Sequence, residues 1–175
     1  MKEDGWLVIQ TPYQAPDKLI SVIEIVPKNE INIENTLSVD PEFGLSLSTK
    51  FSKPDNCTMV YKSWMEKFGE WKRMHQIGDW TDKSSATWEF DIKTPGRYLI
   101  ELTCTGSGPR IWKVKSDEGK VVQNRQNASA IYHTQPIGWI TFEKAGKHTL
   151  TVSIPEGDRT NTSLSSIKIS PVNFY

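Results

Sequence analysis

The chain has 175 residues and a formal net charge of +0, because 21 Lys and Arg residues balance 21 Asp and Glu residues. This length suits one well-buried domain with a short additional segment, and it is too short for two full domains. The sequence contains no basic run and no apolar stretch of bilayer length, which argues against nucleic-acid binding and against membrane insertion.

The N-terminal segment Gly5 to Pro27 predicts a small β-hairpin of its own. Leu7 and Ile9 lie two residues apart, the spacing of one face of a strand, and a Pro-containing turn follows them. Ile20 to Val26 is then a β-branched run that ends at a proline, which is typical of a strand.

The composition changes after this segment. Residues 29–36 are polar and rich in Asn and Glu, as in a linker. We therefore predict a hairpin unit in residues 1–28, a linker in residues 29–36 and a main domain in residues 37–175.

The first half of the main domain predicts strands and loops. Apolar and polar residues alternate from Phe43 to Phe51, the period of two that a half-buried strand shows. In residues 59–80, Trp64 and Trp71 lie at helical spacing with Phe68, but Gly69 interrupts the pattern, and we interpret the segment as strand and loop.

The centre of the chain carries the clearest pattern. Trp88, Phe90 and Ile92 alternate with charged residues, and Tyr98 to Cys104 repeats the alternation. Between the two runs, Thr94-Pro95-Gly96 supplies turn chemistry. We predict an antiparallel hairpin here, with these apolar side chains in the core.

The remaining strands are short and separated by turn residues. Asp117-Glu118-Gly119-Lys120 is typical of a hairpin turn. Strands are predicted on either side of it and in three later segments: Ile111–Lys115, Val121–Val122, Trp139–Phe142, His148–Ile154 and Leu164–Ile169. The pattern favours an all-β, antiparallel jelly-roll β-sandwich.

A family resemblance rests on two of these stretches. Gly78-Asp79-Trp80, a polar loop and the run WEFDIKTPGRYLIEL resemble the galactose-binding-like β-sandwiches, among them family 6 and family 35 carbohydrate-binding modules. The run GWITFEKAGKHTLTVSI, from Gly138 to Ile154, resembles a later hairpin of the same fold. The chain is most similar to the C-terminal accessory domain of bacterial family 29 α-L-fucosidases.

This resemblance implies a context for the domain. The hairpin in residues 1–28 resembles the end of a small β-sandwich that follows the catalytic barrel in these enzymes, so the parent protein is expected to be a glycoside hydrolase with an α-L-fucosidase barrel upstream. The expected partners are that barrel and a glycan, and the resemblance to a fucosidase implies a fucosylated one. The domain is expected to be a monomer. The parent is expected to be secreted, periplasmic or at the cell surface, although residues 1–4 do not resemble a signal peptide.

Six residues are candidates for carbohydrate binding. Aromatic rings stack on the C–H face of a pyranose, and nearby polar side chains bind its hydroxyl groups. Aromatic and cationic side chains beside polar or loop-like sequence are the candidates: Trp71, Trp80, Trp112, Tyr132, Arg73 and Arg110. For each tryptophan the alternative is packing in the core or at the surface.

The sequence contains no residue pattern that indicates catalysis or cofactor binding. Glycoside hydrolysis needs a pair of carboxylates at a fixed separation, whereas the Asp and Glu residues here are scattered, mostly on the wet phase of strands. The two cysteines, Cys57 and Cys104, and the three His residues have no metal-ligand spacing. We expect no catalytic residue and no cofactor; a structural calcium ion, common in related modules, is not assignable to particular residues. The alternative function is a structural or protein-interaction β-sandwich without a sugar ligand.

Overall fold

A computed structural model describes residues 37–65, 67, 69–127 and 129–172, together with residues 2–3, 6–7, 9–14, 17, 20 and 22–26. The chain divides into two compact units, Met1–Glu34 and Asn35–Tyr175. The predicted linker in residues 29–36 lies outside the described residues, so the three-part division stays a prediction. No helix in the described part of the chain is long and apolar enough to cross a membrane.

The first unit contains one short antiparallel pair. Strand β1 (Lys2–Glu3) pairs with β2 (Trp6–Leu7). The predicted second strand is wrong for Val22 to Val26, which form no strand and are exposed. A strand requires a neighbouring strand for its hydrogen bonds, and β propensity alone does not supply one.

The second unit is the predicted antiparallel jelly-roll β-sandwich. Its elements follow one another along the chain: β3 (Ser38–Val39), β4 (Leu45–Ser48), a 3-10 turn (Thr49–Phe51), β5 (Ser52–Asp55), β6 (Thr58–Met65), β7 (Trp71–Gly78), β8 (Ser85–Ile92), β9 (Gly96–Thr105), β10 (Pro109–Ser116), β11 (Val121–Asn127), β12 (His133–Phe142), β13 (Gly146–Gly157) and β14 (Ser163–Pro171).

Two sheets pack face to face. The first sheet has the order β11-β10-β13-β8-β3, with β5 also paired to β8. The second sheet has the order β12-β9-β14-β7-β6, with β4 also paired to β14. Only the β3–β8 pair is parallel among these pairings.

The core lies between the sheets and follows the alternation in the sequence. The side chains that the alternation predicts to be in the core are all buried. They are Trp88, Phe90 and Ile92 of β8 and every second residue from Tyr98 to Cys104 of β9. Phe142 joins the two sheets, because its ring makes edge-to-face contacts with Phe90 and Tyr98 at centroid distances of 5.7 and 5.8 Å.

The predicted central hairpin is nevertheless wrong in its pairing. Strand β8 pairs with β13, whereas β9 pairs with β12 and β14 in the other sheet. The Thr94-Pro95-Gly96 turn therefore crosses from one sheet to the other, and the Tyr98 hydroxyl donates to the Thr94 carbonyl at 2.5 Å. Alternation specifies which side chains enter the core but not which strand is the hydrogen-bonded neighbour.

The later hairpin expected from the resemblance is corrected in the same way. Strands β12 and β13 belong to opposite sheets, so the Lys144-Ala145 turn also connects the two layers. True hairpins occur elsewhere. The predicted turn at residues 117–120 joins β10 to β11, and Gly119 has the positive φ, 80°, that its position requires.

The segment interpreted as strand and loop forms the other hairpin. Strands β6 and β7 pair over their whole lengths, from Thr58 opposite Gly78 to Met65 opposite Trp71. Strand β7 is joined to β14 through the single pair Ile77 and Leu164. Most of this hairpin therefore extends the edge of the second sheet.

Candidate functional site

A polar cavity of about 500 Å³ opens on the outer face of the second sheet, at the end where β7 stops and β14 begins. Two strands and two loops line it: Val60, Lys62, Gln76, Gly78, Asp79, Trp80, Arg159, Thr160, Asn161, Thr162 and Ser163.

The β6–β7 hairpin forms one wall of the cavity. Val60 lies opposite Gln76, and Lys62 lies opposite Met74, so these four side chains share one face of the sheet. Lys62 is exposed and Gln76 is 5% exposed. Trp64, two residues beyond Lys62, lies on the same face and is 40% exposed.

Tyr132 extends this wall across the sheet. It precedes β12 at one edge, and its hydroxyl reaches β7, where it donates to Gln76 Oε1 at 2.5 Å. Burial raises the pKa of this phenol, while hydrogen bonds with Ser163 and Thr105 oppose the shift. The hydrogen bond holds the half-buried Tyr132 next to Gln76, which lines the cavity.

The loop between β13 and β14 forms the facing wall. Asp158 Oδ1 accepts from the Thr160 amide at 2.7 Å, and this bond is the main cause that lowers the pKa of Asp158. Arg159 donates to the carbonyls of Ile154 and Pro155 at 2.9 and 2.7 Å. The arginine thereby stabilises its own loop, and Asn161 is presented at a left-handed φ of 52°.

Side-chain hydrogen bonds also fix the loop between β7 and β8. The Thr81 amide donates to Ser84 Oγ at 2.8 Å, and Ser84 Oγ donates to the Asn56 carbonyl of another loop. Asp79 has a left-handed φ of 54° and is exposed at the rim. The cavity therefore has a largely preformed backbone.

Arg110, a predicted ligand contact, instead lies beneath the facing wall. It is 2% exposed, its Nη1 donates to Thr162 Oγ1, and its Nη2 donates to the Ser107 carbonyl at 2.5 Å. A Cβ at Gly106 would lie 2.3 Å from Nη2, so only glycine leaves room for the guanidinium. The prediction is corrected: Arg110 supports the loops and does not reach the surface.

Two predicted tryptophans also belong to the interior. Trp112 is 0% exposed and Trp80 is 5% exposed, and their rings meet edge to face at a centroid distance of 5.5 Å. Trp80 Nε1 donates to the Ile77 carbonyl at 3.0 Å, which satisfies its buried N–H. Trp112 therefore packs in the core, and Trp80 contributes only a small area to the cavity floor.

The last two predicted residues lie on a different face. Trp71 and Arg73 alternate in phase with buried Ile77, opposite to Gln76, and both are exposed. The six candidates thus do not form one site. Tyr132 lies at the cavity, Trp80 in its floor, Arg110 and Trp112 below it, and Trp71 and Arg73 on the reverse of the hairpin. Contact of Tyr132, Trp80, Trp71 and Arg73 with a sugar stays a prediction.

The sequence reasoning missed several cavity residues. Lys62 and Gln76 share a face only once the β6–β7 register is known, and the helical spacing of nearby tryptophans obscured that register. Asn161 carried a usable signal, because Asn is one of the few residues that adopt left-handed φ in a tight loop.

The cavity offers both donors and acceptors without a reactive group. Amide, hydroxyl, ammonium and carboxylate groups come from Asn161, Thr160, Lys62 and Asp79. Among the described residues, no group of three or more His, Cys, Asp or Glu side chains is placed to hold a metal ion. This arrangement suits a ligand rich in hydroxyl groups.

Comparisons with solved structures agree with the fold. The chain matches a Podospora anserina GH26-CBM35 β-(1,4)-mannanase with a TM-score of 0.59 and 13% identity, covering 75% of this chain and 28% of that one. It matches the module CBM6cm-2 of Cellvibrio mixtus lichenase 5A, solved with cellotriose, with a TM-score of 0.56 and 14% identity, covering 73% and 97%. A CBM35 from Paenibacillus barcinonensis gives 0.56 and 12%, covering 74% and 100%.

At these identities the likeness establishes the fold alone. The chain spans 28% of the length of the mannanase it matches and nearly all of the isolated modules. The structural neighbours are carbohydrate-binding modules and domains of glycoside hydrolases. No protein-family model matches the chain, and no curated protein matches it either.

Proposed function

We propose that the second unit is a non-catalytic carbohydrate-binding domain and that its site is the polar cavity between the β6–β7 hairpin and the β13–β14 loop. The observation that carries this proposal is a preformed cavity with mixed donors and acceptors on a fold shared with carbohydrate-binding modules. A pyranose presents hydroxyl groups that both donate and accept, which matches such a lining.

The lining favours binding over reaction. Asp79 is the one carboxylate among the residues that line the cavity, whereas glycoside hydrolysis uses two. Sugar hydroxyls exchange bonds with water for bonds with protein at little net gain, so stacking supplies much of the affinity. Two aromatic side chains on the cavity face, Tyr132 and Trp64, provide that surface.

The sequence resemblance supports a more specific extension of the proposal. The parent is then a bacterial α-L-fucosidase, secreted, periplasmic or on the cell surface, and the domain holds its barrel near a fucosylated glycan. This extension rests on the resemblance of residues 78–102 and 138–154. A fucosylated ligand is therefore included in the test below.

Affinity electrophoresis of the purified chain in gels that contain cellulose derivatives, mannan, galactan or fucosylated xyloglucan tests the proposal. We expect saturable retardation in at least one gel. Retardation in none of them would contradict carbohydrate binding and favour the structural β-sandwich without a sugar ligand.

A matched pair of variants locates the site. Trp64→Ala and Trp71→Ala each remove an exposed tryptophan from the same hairpin but from opposite faces. We expect Trp64→Ala to weaken binding by on the order of tenfold, as loss of one stacking contact implies, and Trp71→Ala to leave it unchanged. The reverse result would place the site on the Trp71 face and exclude the cavity.

A further inference from the structure

The outer face of the second sheet continues beyond the cavity as a strip along β9 and β14, and a row of hydroxyl groups crosses this strip. Thr103 on β9 lies opposite Thr134 on β12, and their Oγ1 atoms are 2.8 Å apart. On the other side Thr103 lies opposite Ser166, which in turn lies opposite Ser48. Four neighbouring strands thus place a row of small hydroxyl side chains across this surface.

The charges on this strip cancel. Lys168 on β14 lies opposite Glu101 on β9, and Nζ is 3.5 Å from Oε2. This exposed pair contributes little to stability. It leaves the strip without net charge at its centre, which disfavours a strongly anionic or cationic ligand.

An aromatic residue marks the far end of the strip. Trp139 on β12 is 53% exposed, on the wet phase of an edge strand. The guanidinium of Arg97 lies 4.8 Å from the centroid of its ring. This cation–π contact helps to orient the indole, more than half of whose surface stays exposed.

The register gives the distance between the two ends. The cavity end lies at Thr105, which is opposite Ser163, and the far end lies at Leu99, which is opposite Trp139. At the usual rise per residue of a strand, Leu99 and Thr105 are roughly 20 Å apart. A ligand that contacts both ends must be several sugar units long.

We propose that the domain binds a neutral, linear glycan chain that occupies the cavity, passes over Tyr132 and follows β9 and β14 to stack on Trp139. This inference rests on the proposed function and names its ligand class: an internal stretch of a polysaccharide and not a single terminal sugar. The chain crosses the hydroxyl row at Thr103 and Ser166, passes over the Lys168–Glu101 pair, and reaches Trp139, which supplies a second stacking platform.

Isothermal titration with chains of increasing length tests this inference. The probes are β-1,4-glucan, β-1,4-mannan and β-1,3-galactan oligosaccharides from the disaccharide to the hexasaccharide, with methyl α-L-fucoside as a single terminal sugar. We expect the affinity for at least one series to rise about tenfold or more between the disaccharide and the hexasaccharide.

Substitution of Trp139 distinguishes an effect of oligosaccharide length from an unspecific loss of binding. Trp139→Ala should lower the affinity for the hexasaccharide about five- to tenfold and leave the disaccharide unaffected, because only the longer chain reaches the ring. Trp139→Tyr keeps an aromatic face and should retain most of the affinity. Trp71→Ala, an exposed tryptophan on the reverse of the β6–β7 hairpin, is the matched control and should have no effect at either length.

The outcomes separate the two proposals. Binding that is independent of chain length, binding of the fucoside alone, or an unchanged hexasaccharide affinity in folded Trp139→Ala overturns the extended ligand and leaves the cavity proposal standing. Failure of every oligosaccharide, the fucoside and the polysaccharide gels overturns both.

Discussion

Two tryptophans of this domain, Trp112 and Trp139, lie in similar sequence contexts but differ in solvent exposure. Trp112 is preceded by Ile111 and followed by Lys113, and it is fully buried. Trp139 is followed by Ile140 and lies on an equally regular strand, yet it is 53% exposed. Both follow the alternation of their own strands. The difference teaches that phase within a strand, and not the polarity of the adjacent residues, decides whether a tryptophan is core or surface.

The largest expected effect comes from the buried member of this comparison. Trp112→Ala should lower the free energy of unfolding by about 3 to 5 kcal/mol, because it removes a fully buried indole and leaves a cavity against Trp80. Urea denaturation measures this. A loss below about 1 kcal/mol would mean that Trp112 is accessible and that the first sheet has a different register.

A second effect concerns Cys104, which the sequence places on the core phase of β9. Burial raises the pKa of its thiol from 9.0 to about 11. In the unfolded chain the thiol ionises near pH 9 while the folded state keeps it neutral, so stability is full below pH 9 and falls as the pH rises from 9 to 11. Two pKa units correspond to about 2 to 3 kcal/mol.

Comparison of the wild type with Cys104→Ala isolates this effect, since Lys and Tyr residues titrate in the same range in both proteins. The difference in unfolding free energy between the two should shrink as the pH is raised from 8 to 11. A difference that does not change with pH would show that Cys104 ionises in the fold, as an exposed thiol does.

A smaller effect tests the connection between the sheets. Tyr98→Phe removes the hydrogen bond from the tyrosine hydroxyl to the Thr94 carbonyl and should cost about 1 kcal/mol, the usual net value of one such bond. Thermal unfolding checks it. An unchanged melting temperature would show that the Thr94-Pro95-Gly96 turn crosses between the sheets without help from Tyr98.

The sequence predicted which side chains enter the core better than it predicted which strands pair. Alternation assigned Trp88, Phe90, Leu102 and Cys104 to the interior correctly, since the period of two depends only on which face is buried. It could not show that β8 and β9 belong to different sheets. That choice depends on the path of one three-residue turn, whose composition suits a hairpin and a crossing between sheets equally well.

The site was less predictable for a related reason. Its lining residues come from β6, β7, the β7–β8 loop and the β13–β14 loop, and their proximity depends on strand order. Tyr132 was a candidate because an aromatic residue in an irregular loop suggests a surface role, and its contact with a ligand stays a prediction. Arg110 was misplaced because a buried guanidinium is rare, and its accommodation requires Gly106 and the Thr162 hydroxyl in loops distant in sequence.

The smallest expected effect completes the comparison of buried and exposed tryptophans. Trp71 is 59% exposed on a hairpin that extends the edge of the second sheet, and its face is that of Tyr61 and His75. Trp71→Ala removes little buried area and leaves no enclosed cavity, so the free energy of unfolding should change by less than about 0.5 kcal/mol. Urea denaturation alongside Trp112→Ala gives the contrast directly. A loss above about 2 kcal/mol would show that the face carrying Trp71 is packed against other residues, and the hairpin would then belong to the interior of the protein rather than to its binding surface.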